Sequence, residues 1–226
     1  MEFSQVKTTE TVTCIAGPAG DLELAIDAGH DPIASLLVCH PHPLGGGSMN
    51  NKVVTSLLRA GREQGLATVR FNFRGVGASQ GLHDHGRGEQ ADLRCVLSHM
   101  QSLGLPLSLW LAGFSFGSFI AASVAATTLL PWRLQGLLLV APPVHNYPFA
   151  ALALPTPTWV VQGDSDELVA VDEVRAWVAQ TPAVQRLDVV PACGHFFHGH
   201  LEQLRSFMTA AVHELLPQVD RGGDVS

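Results

Sequence analysis

Four stretches of this chain, residues 34–39, 107–113, 134–140 and 158–162, are short and mostly or wholly apolar. A strand with one face in water alternates polar and apolar residues, whereas a strand apolar throughout must be covered on both faces. Between these runs lie longer segments with helical periodicity. Residues 51–64 carry Val53, Val54, Leu57 and Leu58 on one face, and 85–103 carry Leu93, Val96, Leu97 and Met100; 115–130, 171–180 and 198–216 complete the set. Further strands are expected at 66–73 and 187–190. The alternation predicts an α/β architecture, a mostly parallel twisted sheet with helices on both faces. Segments 6–13 and 22–26, separated by a turn at Gly17-Pro18-Ala19-Gly20, read as antiparallel edge strands. No repeat, linker or low-complexity block interrupts the pattern, so residues 1–216 read as one domain. Residues 217–226 have no core-forming pattern and read as a disordered tail.

Composition narrows the function classes. Hydrophobic residues make up 46% and charged residues 15%, a mix suited to a large core. A net charge of −7 and the lack of any Lys/Arg run argue against nucleic acid as a partner, because phosphate recognition needs a clustered basic surface. The apolar runs are too short to span a bilayer. The opening MEFSQVKTTE does not resemble a secretion signal. Cys14, Cys39, Cys95 and Cys193 show no CxxC spacing and read as reduced thiols, so the expected location is the cytoplasm. Cys193 reads as a small buried hydrophobe despite its nearness to His195. The pairs His40/His42, His83/His85 and His198/His200 invite a metal, but without an HExxH or HxHxDH pattern neither metal nor other cofactor is expected. His83-Asp84-His85 reads as an exposed loop near the site mouth. The expected partner is a small-molecule substrate, the expected state a monomer or weak homodimer.

The apolar strand ending near Ala112 runs directly into Gly113-Phe114-Ser115-Phe116-Gly117 and then into a helix. In that context G-x-S-x-G is a strand–turn–helix elbow that exposes a strained serine at the carboxyl edge of the sheet. Gly113 and Gly117 are required where strand and helix close on each other. The Phe116 N–H stands at a helix amino end, ready to donate to an oxyanion. A serine hydroxyl is a poor nucleophile until a base takes its proton. After the 158–162 strand, GDSDELV offers Asp164, Asp166 and Glu167; after the 187–190 strand, ACGHFFHGH offers His195, His198 and His200. Serine, acid and histidine thus follow in the chain order this elbow requires. A second oxyanion donor should come from the loop after residue 39. Pro41 and Pro43 have no N–H, which leaves His42 and Leu44, with Leu44 slightly preferred. The following Gly45-Gly46-Gly47 would let backbone pass close to a ligand.

The segments HPHPLGGGSMNNKVV, RFNFRGVGASQG, GFSFG, GDSDELV and CGHFF together resemble small bacterial α/β-hydrolases of the dienelactone-hydrolase-like, lidless carboxylesterase type, over roughly residues 20–215. The resemblance implies the α/β-hydrolase fold, with Ser115 as nucleophile, Asp166 as the acid and His195 as the base. His198 and His200 are then expected to begin the last helix and face solvent, and Asp164 to cap its turn. Asn72 stands where many such proteins carry aspartate, and Arg74 reads as tying loops together.

Only residues 141–157 separate two strands where lids are usually inserted, so a lid should be minimal or absent and the site open. Phe149, Leu152, Leu154 and Phe196 are candidates for an apolar substrate wall. The leading expectation is hydrolysis of carboxylic esters with small or accessible acyl groups. The alternatives are a thioesterase or acyl-peptide-type hydrolase with the same residues and, more remotely, a non-catalytic binding module.

Overall fold

A computed structural model describes residues 10–127, 131–155 and 157–215. Residues 6–9 of the first expected strand, the end of the helix expected to reach 130, residue 216 and the tail 217–226 lie outside the described residues.

Eight strands among the described residues form one sheet: β1 (Thr11–Gly17), β2 (Gly20–Asp27), β3 (Ala34–Cys39), β4 (Leu66–Phe71), β5 (Ser108–Phe114), β6 (Arg133–Val140), β7 (Thr158–Gly163) and β8 (Val184–Val190). Their order is β1-β2-β4-β3-β5-β6-β7-β8. The β1–β2 and β2–β4 pairs are antiparallel, and every pair from β4 to β8 is parallel. The helices are α1 (Lys52–Glu63), α2 (Arg87–Ser102), α3 (Phe116–Ala125), α4 (Val171–Ala179) and α5 (Leu201–Leu215). None is long and apolar enough to cross a membrane.

The continuous apolar runs are explained by two-sided burial. In β3, Leu37 and Cys39 enter the core beneath α2, α3 and α4, while Leu36 and Val38 enter the core shared with α1 and α5. In β5, Leu109 and Leu111 face the first core, and Trp110, Ala112 and Phe114 the second. Each such side chain contributes about 1.5–3 kcal/mol by leaving water. The sheet order reverses direction about β3, so the carboxyl ends of β3 and β5 lie side by side, with Cys39 paired to Gly113. Ligands of open α/β sheets bind at such a switch point.

Several boundaries differ from the sequence reading, each for a backbone reason. β1, Thr11–Gly17, reaches beyond the expected end at residue 13, because the hairpin pairs Gly17 with Gly20 and draws Cys14 and Ile15 into the ladder. β4 stops at Phe71, since beyond it the Phe73 N–H turns to the His40 ring. α2 starts at Arg87 because His85 (φ 48°) and Gly86 (φ 95°) are left-handed. β8 begins at Val184, three residues early; its Arg186 lies over the Trp159 ring at 4.5 Å, which makes a polar-looking stretch a good strand partner. α5 starts at Leu201 because Phe197 and Gly199 have positive φ, so His198 and His200 precede the helix instead of beginning it.

Candidate active site

Ser115 sits between β5 and α3 with φ 52° and ψ −120°, a conformation a non-glycine residue holds only when its surroundings enforce it. Its N–H is fixed on the Val140 carbonyl at 2.8 Å. A Cβ at Gly113 would overlap the Gly117 carbonyl, and one at Gly117 the carbonyls of Cys39 and His40. Both glycines are therefore obligatory, and the second one presses the elbow against the end of β3. The Phe116 N–H opens α3, where first-turn donors have no partner within the helix.

Two further loops reach the serine. His195, only 2% exposed, lies after β8, and its Nε2 is 3.0 Å from the Ser115 Oγ. Its Nδ1 is 2.8 Å from the Asp166 Oδ2, after β7. The imidazole packs against Phe114 and Phe196, each with ring centroids 5.2 Å away. Asp166 is held from every side: Oδ1 accepts the Leu168 and Val169 N–H groups, both at 2.8 Å, and Oδ2 also accepts from the Gln162 amide at 2.8 Å. Burial pushes the Asp166 carboxyl up, but His195 and the two backbone donors outweigh it and leave the group below the ordinary aspartate range. Asp164 is exposed and accepts only the Ser165 hydroxyl, so the local turn is made by Asp166. Glu167 accepts the His195 backbone N–H at 3.1 Å. His198 is exposed, and neither it nor His200 bonds to Ser115.

After β3 the chain makes a 3-10 turn at Pro43–Gly45. The Leu44 N–H donates to the Nδ1 of His42 at 3.2 Å. The Gly45 and Gly47 N–H groups go to the His42 carbonyl, and that of Gly46 goes to Pro43. The Leu44 N–H, the slightly preferred oxyanion donor, is thus taken up inside the turn, while that of His42 donates to no group among the described residues. His40 is wholly buried, with Nε2 accepting the Phe73 N–H at 3.0 Å and Nδ1 2.7 Å from the Pro41 carbonyl.

Other expected residues are distributed unevenly. Phe149 is 1% exposed and packs on Phe119 and Trp177, so it belongs to the core and does not line the site. Leu152 and Leu154 are half-buried against that same core. Phe196, 42% exposed, is the wall candidate that packs on the His195 ring. Asp84 and His85 are exposed, as expected of that loop, but the His83 side chain is nearly buried and sits 2.9 Å from the buried Glu89 carboxylate. Arg74 makes a buried pair with Asp92 at 2.7 Å, fastening the loop after β4 to α2. Asn72 accepts from the Met49 N–H and donates to the Glu23 carboxylate at 2.7 Å, a contact that aspartate would turn into repulsion. Burial raises the Cys193 thiol to about 11, helped by Asp166, Asp164 and Glu167, so it keeps its proton at neutral pH. A groove of about 700 Å³ between β8 and α5, lined by Arg186, Glu202 and Phe207, does not include Ser115.

Sequence reasoning missed Gln162 and Glu89, and it offered Glu167 only as an acid candidate, not as the acceptor of the His195 N–H. A lone amide closing an apolar strand, TWVVQG, was the available signal for Gln162. For Glu89 it was the Gly86-x-x-Glu89 spacing, in which the carboxylate accepts the Gly86 N–H at 2.7 Å as half of a capping box.

A family profile described as an alpha/beta hydrolase domain matches residues 34–211. The chain belongs to the α/β-hydrolase family. Among solved α/β-hydrolases, a serine hydrolase without a lid from Xanthomonas campestris is 40% identical, covering 92% of this chain and 95% of its own, with a TM-score of 0.85. An α/β serine hydrolase homologue from Coxiella burnetii is 44% identical, covering 92% of this chain and 99% of its own, with a TM-score of 0.80. An uncharacterized protein of Rickettsia prowazekii is 36% identical over 198 residues, 83% of this chain and 82% of its own. This α/β-hydrolase is likewise lidless: the described residues between β6 and β7 hold only a 3-10 turn at Phe149–Ala151.

Proposed function

We propose that this α/β-hydrolase cleaves carboxylic esters of small or accessible acyl groups through an acyl-enzyme on Ser115. The supporting observation is the unbroken contact chain from the Ser115 Oγ to the His195 Nε2 (3.0 Å) and from the His195 Nδ1 to Asp166 (2.8 Å). In this reading Asp166 holds the imidazole with its hydrogen on Nδ1. Nε2 takes the serine proton as Oγ attacks the carbonyl. The N–H groups of Phe116 and His42 receive the oxyanion. His195 then returns the proton to the leaving alcohol and activates a water that releases the acid. The short β6–β7 connection leaves the serine open to acyl groups that protrude from larger molecules. Thioesters could follow the same course.

A fluorophosphonate probe followed by peptide mapping tests the nucleophile. Wild type is expected to label at Ser115, and Ser115→Ala is expected to lose about 10³-fold or more in kcat while remaining folded. Absence of labelling, or a variant altered only in KM, would refute the assignment. Rates on p-nitrophenyl esters against acyl-CoA of equal chain length then separate ester from thioester preference.

A further inference from the structure

One flank of the serine elbow carries three histidine rings and a buried carboxylate that acyl transfer does not use directly. The His42 ring lies between His83, with centroids 4.8 Å apart, and Phe116, at 5.0 Å. His83 packs on Phe116 as well, at 5.5 Å, and on His85 at 5.1 Å. Its Nδ1 is 2.9 Å from Glu89, which is fully buried and fixed by the Asp84 and Gly86 N–H groups at 2.8 and 2.7 Å. Around this stack, the turn after β3 closes on His42 at two points: the carbonyl accepts Gly45 and Gly47, and the ring Nδ1 accepts Leu44.

That last bond fixes a protonation state. A ring nitrogen that accepts an N–H must offer its lone pair, so the hydrogen of His42 is on Nε2. Adding a proton at Nδ1 would set donor against donor and break the bond to Leu44, the one that ties the His42 ring to the turn, leaving only the backbone bonds to hold it. The backbone N–H of His42 belongs to the residue that caps this turn.

We propose that the His42 imidazole, packed between His83 and Phe116, is a positioning residue that aims the oxyanion-binding N–H at the reacting carbonyl, and that protonating it disarms the site. The proposal rests on the serine-hydrolase reading above. The groups facing His42 are His83 and His85 from the loop after β4, Glu89 from α2 and His40 at the end of its own strand. Burial, His83 and His85 disfavour a charged His42 and Glu89 favours it; the balance lowers the group below the ordinary histidine range.

The test is the pH dependence of kcat and KM for the full-length protein on a short p-nitrophenyl ester from pH 4.5 to 8. His42→Asn places a side-chain oxygen that accepts the N–H two residues on, as in an Asx-turn, and does not titrate. His42→Leu has no acceptor. His42→Leu is expected to lose about 10- to 100-fold in kcat at pH 8 with KM nearly unchanged, since an oxyanion donor acts on the transition state. His42→Asn is expected to recover most of that loss. Its acid limb should show one ionisation where wild type shows two. His42 gives the His40 pKa a small downward push, which both variants lack, so the two variants are compared with each other as well as with wild type. Equal rates for the two variants, or an acid limb unchanged in His42→Asn, would overturn the proposal. If His42→Leu fails to fold, the acid limb of His42→Asn decides alone. Failure of the underlying reading looks different: wild type would then not label at Ser115, whereas labelling with indifferent His42 variants removes only the role of His42.

Discussion

Lowering the pH should destabilise the protein through one residue, His40. Its ring is wholly buried between the ends of β3 and β4, where Nε2 accepts the Phe73 N–H at 3.0 Å and Nδ1 donates to the Pro41 carbonyl at 2.7 Å. Burial pulls its pKa from 6.5 to about 4, against the Pro41 bond and with a small push from His42. Between those values the unfolded chain binds a proton that the folded one refuses. Stability is therefore complete above pH 6.5 and falls as the pH drops toward 4. At about 1.36 kcal/mol per pH unit, the loss from this group reaches about 3 kcal/mol, a large share of the roughly 5–15 kcal/mol that holds a domain folded.

Other groups titrate in that window, so the measurement is a difference. Urea unfolding of wild type and His40→Asn at pH 7.5 should show the variant less stable, because two buried backbone groups lose their partner at about 1–3 kcal/mol each. At pH 4.5 that gap should narrow by about 2–3 kcal/mol, since only wild type pays for keeping the ring neutral. A gap of equal size at both pH values would refute the reasoning, because the His40 ring would then titrate alike in both states.

Two further outcomes follow from the geometry. Asp166→Asn should keep the fold but lower kcat by about 10³–10⁴-fold, because an amide at that position no longer enforces the hydrogen on the His195 Nδ1; near-normal turnover would return the role to Asp164. Phe149→Ala should cost about 3–5 kcal/mol in chemical unfolding with little change in KM for short esters; a selective rise in KM at unchanged stability would restore Phe149 to the substrate wall.

The central strands were legible because their requirement is local. A strand covered on both faces is apolar at nearly every position, and β3 at Ala34–Cys39 departs from that only at Ser35, whose buried hydroxyl donates to the Pro106 carbonyl at 2.8 Å. Edges were less legible, because their partners are distant. Nothing in VQRLDVV announces that Arg186 will lie over Trp159, yet that contact and the ladder to β7 carry β8 back to Val184. Left-handed residues were illegible for a related reason. Phe197 at φ 53° delays α5 to Leu201, and no propensity marks a phenylalanine for that conformation. It is imposed by burial of its ring in the core and by the Gly194 carbonyl that holds its N–H at 3.1 Å.

The site divides along the same line. The nucleophile was readable because the steric demand of the elbow is met within five residues, and glycine has no substitute at Gly113 or Gly117. The acid was ambiguous because Asp164 and Asp166 are chemically equal in GDSDELV. What separates them is which carboxylate the N–H groups of Leu168 and Val169 capture, and that choice turns the other oxygen of Asp166 toward His195. The oxyanion donor was hardest of all. Eliminating prolines leaves His42 and Leu44 equal as backbone donors, and the decision falls to a side chain: the ring of one residue consumes the N–H of the other. Counting every non-proline N–H as free misses this, because histidine is itself an acceptor when neutral. If His42 aims the oxyanion-binding N–H as proposed, this bond is where pH reaches the donor, since it forms only while the ring keeps a lone pair for Leu44.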